Sequence, residues 1–165
     1  MILALPKKIA VTGHRPDKLG GYDESNPVAI AVKKYLHSFL SLPENGLAVA
    51  ISGMALGVDQ WYAEACIDLD IPFTAAIPFE NMEIKWPRLS QEKYKYILSK
   101  AWNIIYVSGP GYEPWKMQIR NKWMVDNCTE ILAIWNGTLG GTNNCIQYAK
   151  SVNKPIKIID PRTIT

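Results

Sequence analysis

Six short apolar segments alternate with five stretches of helical length along this chain, and that alternation limits the possible folds more than any other feature of the sequence. The apolar segments read KIAVTG (8–13), LAVAIS (47–52), PFTAAIP (72–78), NIIYVS (103–108), EILAIW (130–135) and PIKIID (155–160). They are near-continuous apolar runs, the pattern of strands covered on both faces. Helical patterns fill 26–41, 57–70, 90–101, 114–128 and 141–152; in the first, Val28, Ala31, Val32, Tyr35, Leu36 and Phe39 share one face. Parallel neighbours need long crossovers, which helices supply. The chain is therefore predicted to be an α/β protein with a doubly wound, mainly parallel sheet flanked by helices. Its 165 residues fit a single domain over 1–165, long enough to bury roughly 70% of the unfolded surface.

Two stretches break the rhythm. PFENMEIKWPRLS (78–90) carries two prolines and a polar run and is predicted to be a long loop beside the site, and SGPGY (108–112) excludes regular structure. Charge bears on partners: 18 basic and 15 acidic residues are interspersed, for a net +3, with no basic stripe, so nucleic acid is not the expected partner. The apolar run of MILALPKK is too short for a secretory signal, its charges follow that run, and no segment has the roughly 20 apolar residues that cross a bilayer. A cytoplasmic protein without membrane association is expected. Cys66, Cys128 and Cys145 share no metal-ligand spacing and are read as reduced thiols; the reading calls for no metal and no cofactor.

In an open parallel sheet, ligands bind outside the carboxyl ends of the strands. Four loops leaving those ends combine glycine with a hydroxyl residue: TGHRP (12–16), SGMALGVD (52–59), SGPGY and NGTLGGTNN (136–144). Glycine lets backbone N–H groups approach a ligand, and the helix that follows favours an anion. Any one such loop is an ordinary turn with a helix cap. Several at one edge point to a nucleotide or sugar phosphate.

The candidate ligand-binding residues are Thr12, Gly13, His14 and Arg15 in the first loop; Ser52, Gly53, Met54, Gly57 and Asp59 in the second; Arg120 and Asn121 on the helical run MQIRNKWMVDNC; and Gly140, Gly141, Thr142 and Asn143 in the last. Arginine suits bidentate phosphate recognition. Asp59 has two readings, a cap for its own helix or a partner for a ribose hydroxyl. Glu64 is read as part of a solvated helix face, and Trp86 either packs or stacks on a base.

In order along the chain, VTGHRPDKLGGY, ISGMALGVDQWYAEA, IPF followed by KWP, RNKWMVDNC and GGTNNCIQYA resemble the YpsA-like branch of the SLOG superfamily. That group is related to the DNA-processing protein DprA and to the LOG phosphoribohydrolases that activate cytokinins. The resemblance spans residues 8 to about 158. It implies a Rossmann-like domain that senses or processes nucleotide-derived ligands, NAD and ADP-ribose derivatives among them. Ser52, Gly53, Gly57 and Asp59 match the loop shared with DprA-like proteins. Arg120 resembles the LOG motif arginine, and Gly140, Gly141 and Thr142 its phosphate loop. LOG enzymes place a glutamate three residues after their glycine–threonine pair; here that position is Cys145.

A carboxylate is what N-glycosidic cleavage needs to stabilise an oxocarbenium-like transition state or to activate water. Without that glutamate the leading expectation is a protein that binds a nucleotide-derived small molecule as a sensor or sequestering protein, and the catalytic residues are unassigned. The alternatives are a hydrolase acting through Asp59, Glu64, Glu80 or Asp126, and a DprA-like role with nucleic acid or a protein. Cys145 is read as an inert helix cysteine. A homo-oligomer is expected because related domains commonly assemble.

Overall fold

The computed structural model describes residues 6–42 and 47–165; the amino-terminal MILAL run lies outside the described residues. Strand β1 (Lys7–Gly13) leads through a short 3-10 turn (Pro16–Lys18) to α1 (Pro27–Leu40), and then follow β2 (Leu47–Ser52), α2 (Val58–Asp68), β3 (Phe73–Ile77), α3 (Arg88–Ser99), β4 (Asn103–Tyr106), α4 (Pro114–Asn127), β5 (Glu130–Ile134), α5 (Gly141–Ser151) and β6 (Ile156–Ile159). Local chemistry sets several of these ends. Asn26 caps α1 by accepting the Ala29 N–H at 2.9 Å, and Pro27 occupies the first turn, where its missing N–H costs nothing.

The six strands form one parallel sheet in the order β4-β3-β2-β1-β5-β6. The chain steps outward from β1 to β4, then returns to the far side of β1 for β5 and β6. Right-handed crossovers running in opposite directions put their helices on opposite faces. On one face Ile9, Val11, Leu132 and Ile134 pack under residues of α1, α2 and α3 such as Leu36, Tyr62 and Ile97. On the other, Ala10, Ile51, Ala76 and Ala133 pack under Met124 and Val125 of α4 and Ile146 and Ala149 of α5. This is the predicted doubly wound, Rossmann-like fold.

The edges depart from the sequence reading. The runs at 103–108 and 155–160 look like strands covered on both faces, yet β4 and β6 are the two sheet edges and expose Ile104, Tyr106 and Ile158. Apolar composition reports strand propensity and not position in the order. The polar loop is shorter than expected because α3 begins at Arg88, directly after Pro87. The loop is also tied down, with Gln91 Nε2 donating to the carbonyls of Ile84 (3.2 Å) and Trp86 (2.8 Å).

The 108–112 loop is irregular, as expected, and one buried lysine organises it. Lys116 Nζ donates to the carbonyl oxygens of Gly109 (2.8 Å), Pro110 (2.9 Å) and Gly111 (2.7 Å). Lys116→Met keeps the length of the side chain and removes all three bonds. It is expected to cost about 2 kcal/mol, since charge-assisted hydrogen bonds are the stronger kind and this loop can recruit water in part. Urea unfolding checks this; an unchanged midpoint would show that the loop holds itself.

Candidate functional site

Strand order reverses at β1, which lies between β2 and β5. The loops leaving β1 and β5 therefore diverge over the carboxyl edge and open a crevice there. A cleft of about 210 Å³ occupies this point. Its walls are Thr12, Gly13, His14 and Arg15 at the end of β1, Asp17 and Lys18 in the turn that follows, Ala55 and Asp59 around the start of α2, Met117, Arg120 and Asn121 on α4, and Thr138, Gly140, Gly141 and Thr142 between β5 and α5.

The two diverging loops are laced together. His14 Nε2 lies 2.8 Å from Asn136 Oδ1 and 3.1 Å from the Asn136 backbone N–H, and the tautomer decides which bond it makes. The same Oδ1 accepts from the Thr138 hydroxyl at 2.7 Å, and Lys18 Nζ donates to Thr138 Oγ1 and to the Leu139 carbonyl, both at 3.0 Å. Gly137 and Gly140 have φ of +92° and +143°, so the chain turns sharply twice before α5 begins. The first α5 hydrogen bond runs from Asn144 N to the Gly140 carbonyl. The N–H groups just before it have no carbonyl partner within the helix, and Gly141 and Thr142 present that end of α5 to the cleft.

The loop after β2 shapes the floor. Ser52 Oγ donates to the Asp59 carbonyl at 2.6 Å and accepts from Met54 N at 3.2 Å. A Cβ on Gly53 would stand 2.5 Å from Arg120 Nη1 and 2.9 Å from Asp59 Oδ2, so only glycine lets those two side chains lie across this backbone. Gly57 has φ +93°, and a Cβ there would stand 2.6 Å from the His14 carbonyl. Ser52, Gly53, Met54 and Gly57 thus position the site from beneath and do not line the cleft, and Asn143 faces Gln147 on the outer side of α5. The other ten residues singled out in the sequence line it. Sequence reasoning missed Asp17 and Lys18, which reach the cleft because Pro16 starts a 3-10 turn, Ala55 and Thr138, which sit within loops already marked, and Met117, which lies three residues before Arg120 on α4.

Asp59 and Arg120 are the buried charges of the cleft, 6% and 5% exposed. The Arg120 guanidinium donates to the Gly53 carbonyl and, at 3.4 Å, to that of Ala76, and its Nε donates to Asn121 Oδ1 at 3.0 Å. Asp59 Oδ2 accepts the Ala55 N–H at 3.3 Å, so the carboxylate reaches back over the turn ahead of its helix. Burial pushes the Asp59 carboxyl up to about 6, although Arg120 and Arg15 pull it down. Burial also lowers His14 from its ordinary value, against the opposing hydrogen bond to Asn136.

The remaining candidate carboxylates lie elsewhere. Glu64 is paired with Lys93 at 3.0 Å between α2 and α3, which replaces the expected solvated face with an ion pair. Glu80 is exposed, and Asp126 accepts from the Tyr148 hydroxyl at 2.8 Å. Trp86 packs edge-on against Tyr94, with ring centroids 5.5 Å apart, and does not line the cleft. Cys145 is fully buried, and burial pushes its thiol up to about 11, which leaves it without nucleophilic character. All three cysteines are free thiols. Among the described residues no group of three or more His, Cys, Asp or Glu side chains is placed to hold a metal, and no helix is long and apolar enough to cross a membrane.

Comparison with known proteins agrees with this fold. A UPF0398 protein of Bacillus cereus strain B4264 is 31% identical over 137 residues, covering 79% of this chain and 74% of that protein. The fold is shared with DNA processing protein A of Streptococcus pneumoniae (TM-score 0.67, 22% identity, 93% of this chain), of which this chain spans only 50%. It is also shared with DNA processing protein A of Helicobacter pylori, a protein described by its single-stranded DNA binding mode (TM-score 0.68, 18% identity, 96% of this chain and 70% of that one). The family model of the YspA SLOG family matches residues 9–164, almost the whole sequence, and the chain belongs to that family.

Proposed function

We propose that the cleft holds the phosphate-bearing part of a nucleotide-derived small molecule, and that the protein acts as a sensor or sequestering protein for it. One observation carries this reading: the free N–H end of α5 and the cations Arg15, Lys18 and Arg120 converge on a single small cleft at the switch point of the sheet. A volume of about 210 Å³ suits a phosphorylated pentose, with the base or a second nucleotide along the open rim. Asn121 and Asp59 supply the neutral and acidic partners that sugar hydroxyls require.

A second reading rests on Asp59. It is the one candidate carboxylate of the sequence analysis that lines the cleft, and its carboxyl at about 6 is poised to give or take a proton near neutral pH. That supports hydrolysis of the N-glycosidic bond of the same ligand. The DNA-binding description of the Helicobacter pylori protein adds a phosphodiester strand as a rival occupant of the same anion site.

The deciding experiment incubates the protein with AMP, ADP-ribose, NAD and cyclic ADP-ribose variants, removes unbound ligand, denatures the protein and identifies both fractions by mass spectrometry. Intact ligand released on denaturation supports a binder. Free base or ribose phosphate establishes the hydrolase instead. Retention of none of these, together with tight capture of labelled single-stranded DNA at physiological salt, would overturn both readings.

A further inference from the structure

The two edges of the sheet are not alike. An exposed strand edge presents unpaired backbone groups, and proteins that stay apart guard it with lysine, proline or charge. The β6 edge is guarded in this way: Pro155 precedes it, Lys157 sits within it, and Asp160 and Pro161 follow. The β4 edge is not. From Trp102 to Val107 the sequence WNIIYV contains no charge and no proline, and Trp102 is 68% exposed.

Helix cover is also uneven. Three helices lie on one face of the six strands and two on the other, and on the two-helix face the sheet is left partly bare toward β4. A groove of about 290 Å³ runs there, with Ile51, Ile105, Trp102 and Trp123 among its walls and Lys8, on β1, as its one charged residue among those described. Trp123 ends a stripe on α4 whose other members, Ile119 and Trp115, lie one and two turns back at spacings of four, with Trp115 56% exposed.

We infer that the β4 edge and the adjacent Trp115–Ile119–Trp123 stripe of α4 form a two-fold contact between two copies of this chain. An edge strand is self-complementary: a two-fold axis through it pairs β4 antiparallel with its copy, joins the two sheets, and brings both α4 stripes onto the same face, one on each side of the seam with the two grooves between them. The patch fits a second copy better than a charged partner, because its β4 and stripe residues carry no charge and are rich in tryptophan and tyrosine, the composition of homodimer cores. Its exposed large side chains offer roughly 500 Å² per copy, the larger part of the about 800 Å² per partner in a standard interface, and strand backbone and groove supply the rest.

Sedimentation velocity on the full chain, from low to high micromolar concentration, tests this independently of any ligand. The wild-type protein is expected to dimerise. Ile104→Lys on the edge and, separately, Ile119→Lys on α4 are expected to raise the dissociation constant at least about tenfold, while Ile158→Lys on the guarded edge leaves it unchanged. Ile119 is partly exposed on a helix surface, so its lysine variant decides the matter even if the β4 variant folds poorly. A wild-type chain that stays monomeric, or a dimer indifferent to both Ile104→Lys and Ile119→Lys, would overturn the inference.

Discussion

Gly141→Asp is expected to abolish binding of a phosphorylated ligand while the fold becomes, if anything, slightly more stable. Gly141 opens α5 and has ordinary backbone geometry, and a Cβ at this position would meet nothing within 4 Å, so a side chain can leave the backbone here without displacing a neighbour. In the first turn a carboxylate gains about 0.3–1 kcal/mol from the helix dipole. Against a bound phosphate the same charge is repulsive. At a separation of about 4 Å and an effective dielectric near 20 the interaction costs about 4 kcal/mol per unit charge, roughly a thousandfold in affinity. Calorimetric titration with the nucleotide that the protein retains, paired with thermal unfolding, reads both effects. Undiminished affinity would mean that the phosphate does not sit at α5. Arg120→Ala is a less clean probe, because it removes the cation that most offsets the buried Asp59 carboxylate and confounds binding with stability.

Much of this architecture is legible in the sequence because one physical rule carries it: parallel strands need helical crossovers, and loops at their carboxyl ends gather at the switch point. Residues 136–144 are legible for the same reason, since a chain that must turn twice and begin a helix places glycine where φ is positive. What the sequence does not separate is lining from support. Ser52, Gly53, Met54 and Gly57 belong to a ligand-type motif, yet their work is to hold the Asp59 and Arg120 backbone and side chains in close approach, a three-dimensional relation between residues far apart in the chain. Lys18 shows the converse: an ordinary surface lysine by sequence, it clasps the β5–α5 loop because of the turn that Pro16 starts. The two readings of Trp86 divide in the same way, and its contact with Tyr94 in the next helix supports packing. Edge position likewise depends on strand order, to which the apolar run NIIY is blind.

Asp59→Asn is expected to stabilise the protein at neutral pH, because the cleft holds this carboxylate at a cost. The unperturbed carboxyl titrates at 3.8 and the folded one at about 6. Below the lower value both states are protonated and nothing is lost. Between the two values the folded state holds the proton more tightly than the unfolded one, so stability falls as pH rises through this window. Above about 6 the full cost of about 3 kcal/mol stands. The asparagine variant removes most of it, and a gain of about 2 kcal/mol, several degrees in Tm, is expected at pH 7 once the lost attraction to Arg120 is set against it. The gain should vanish below about pH 4. His14 works in the opposite sense: its lowered pKa means that stability is lost as pH falls through the ordinary histidine range, so the variant should leave that acid-side decline more plainly visible. Denaturant unfolding across pH measures both. If the cleft only binds, the variant should still hold its ligand, because asparagine keeps one oxygen acceptor for the sugar hydroxyl while a negative charge leaves the phosphate's surroundings. If it hydrolyses, binding should survive and turnover should disappear. An asparagine variant less stable than wild type at pH 7 would instead mark Asp59 as an ionised, net-favourable partner of Arg120, and would remove the basis for assigning it a proton-transfer role.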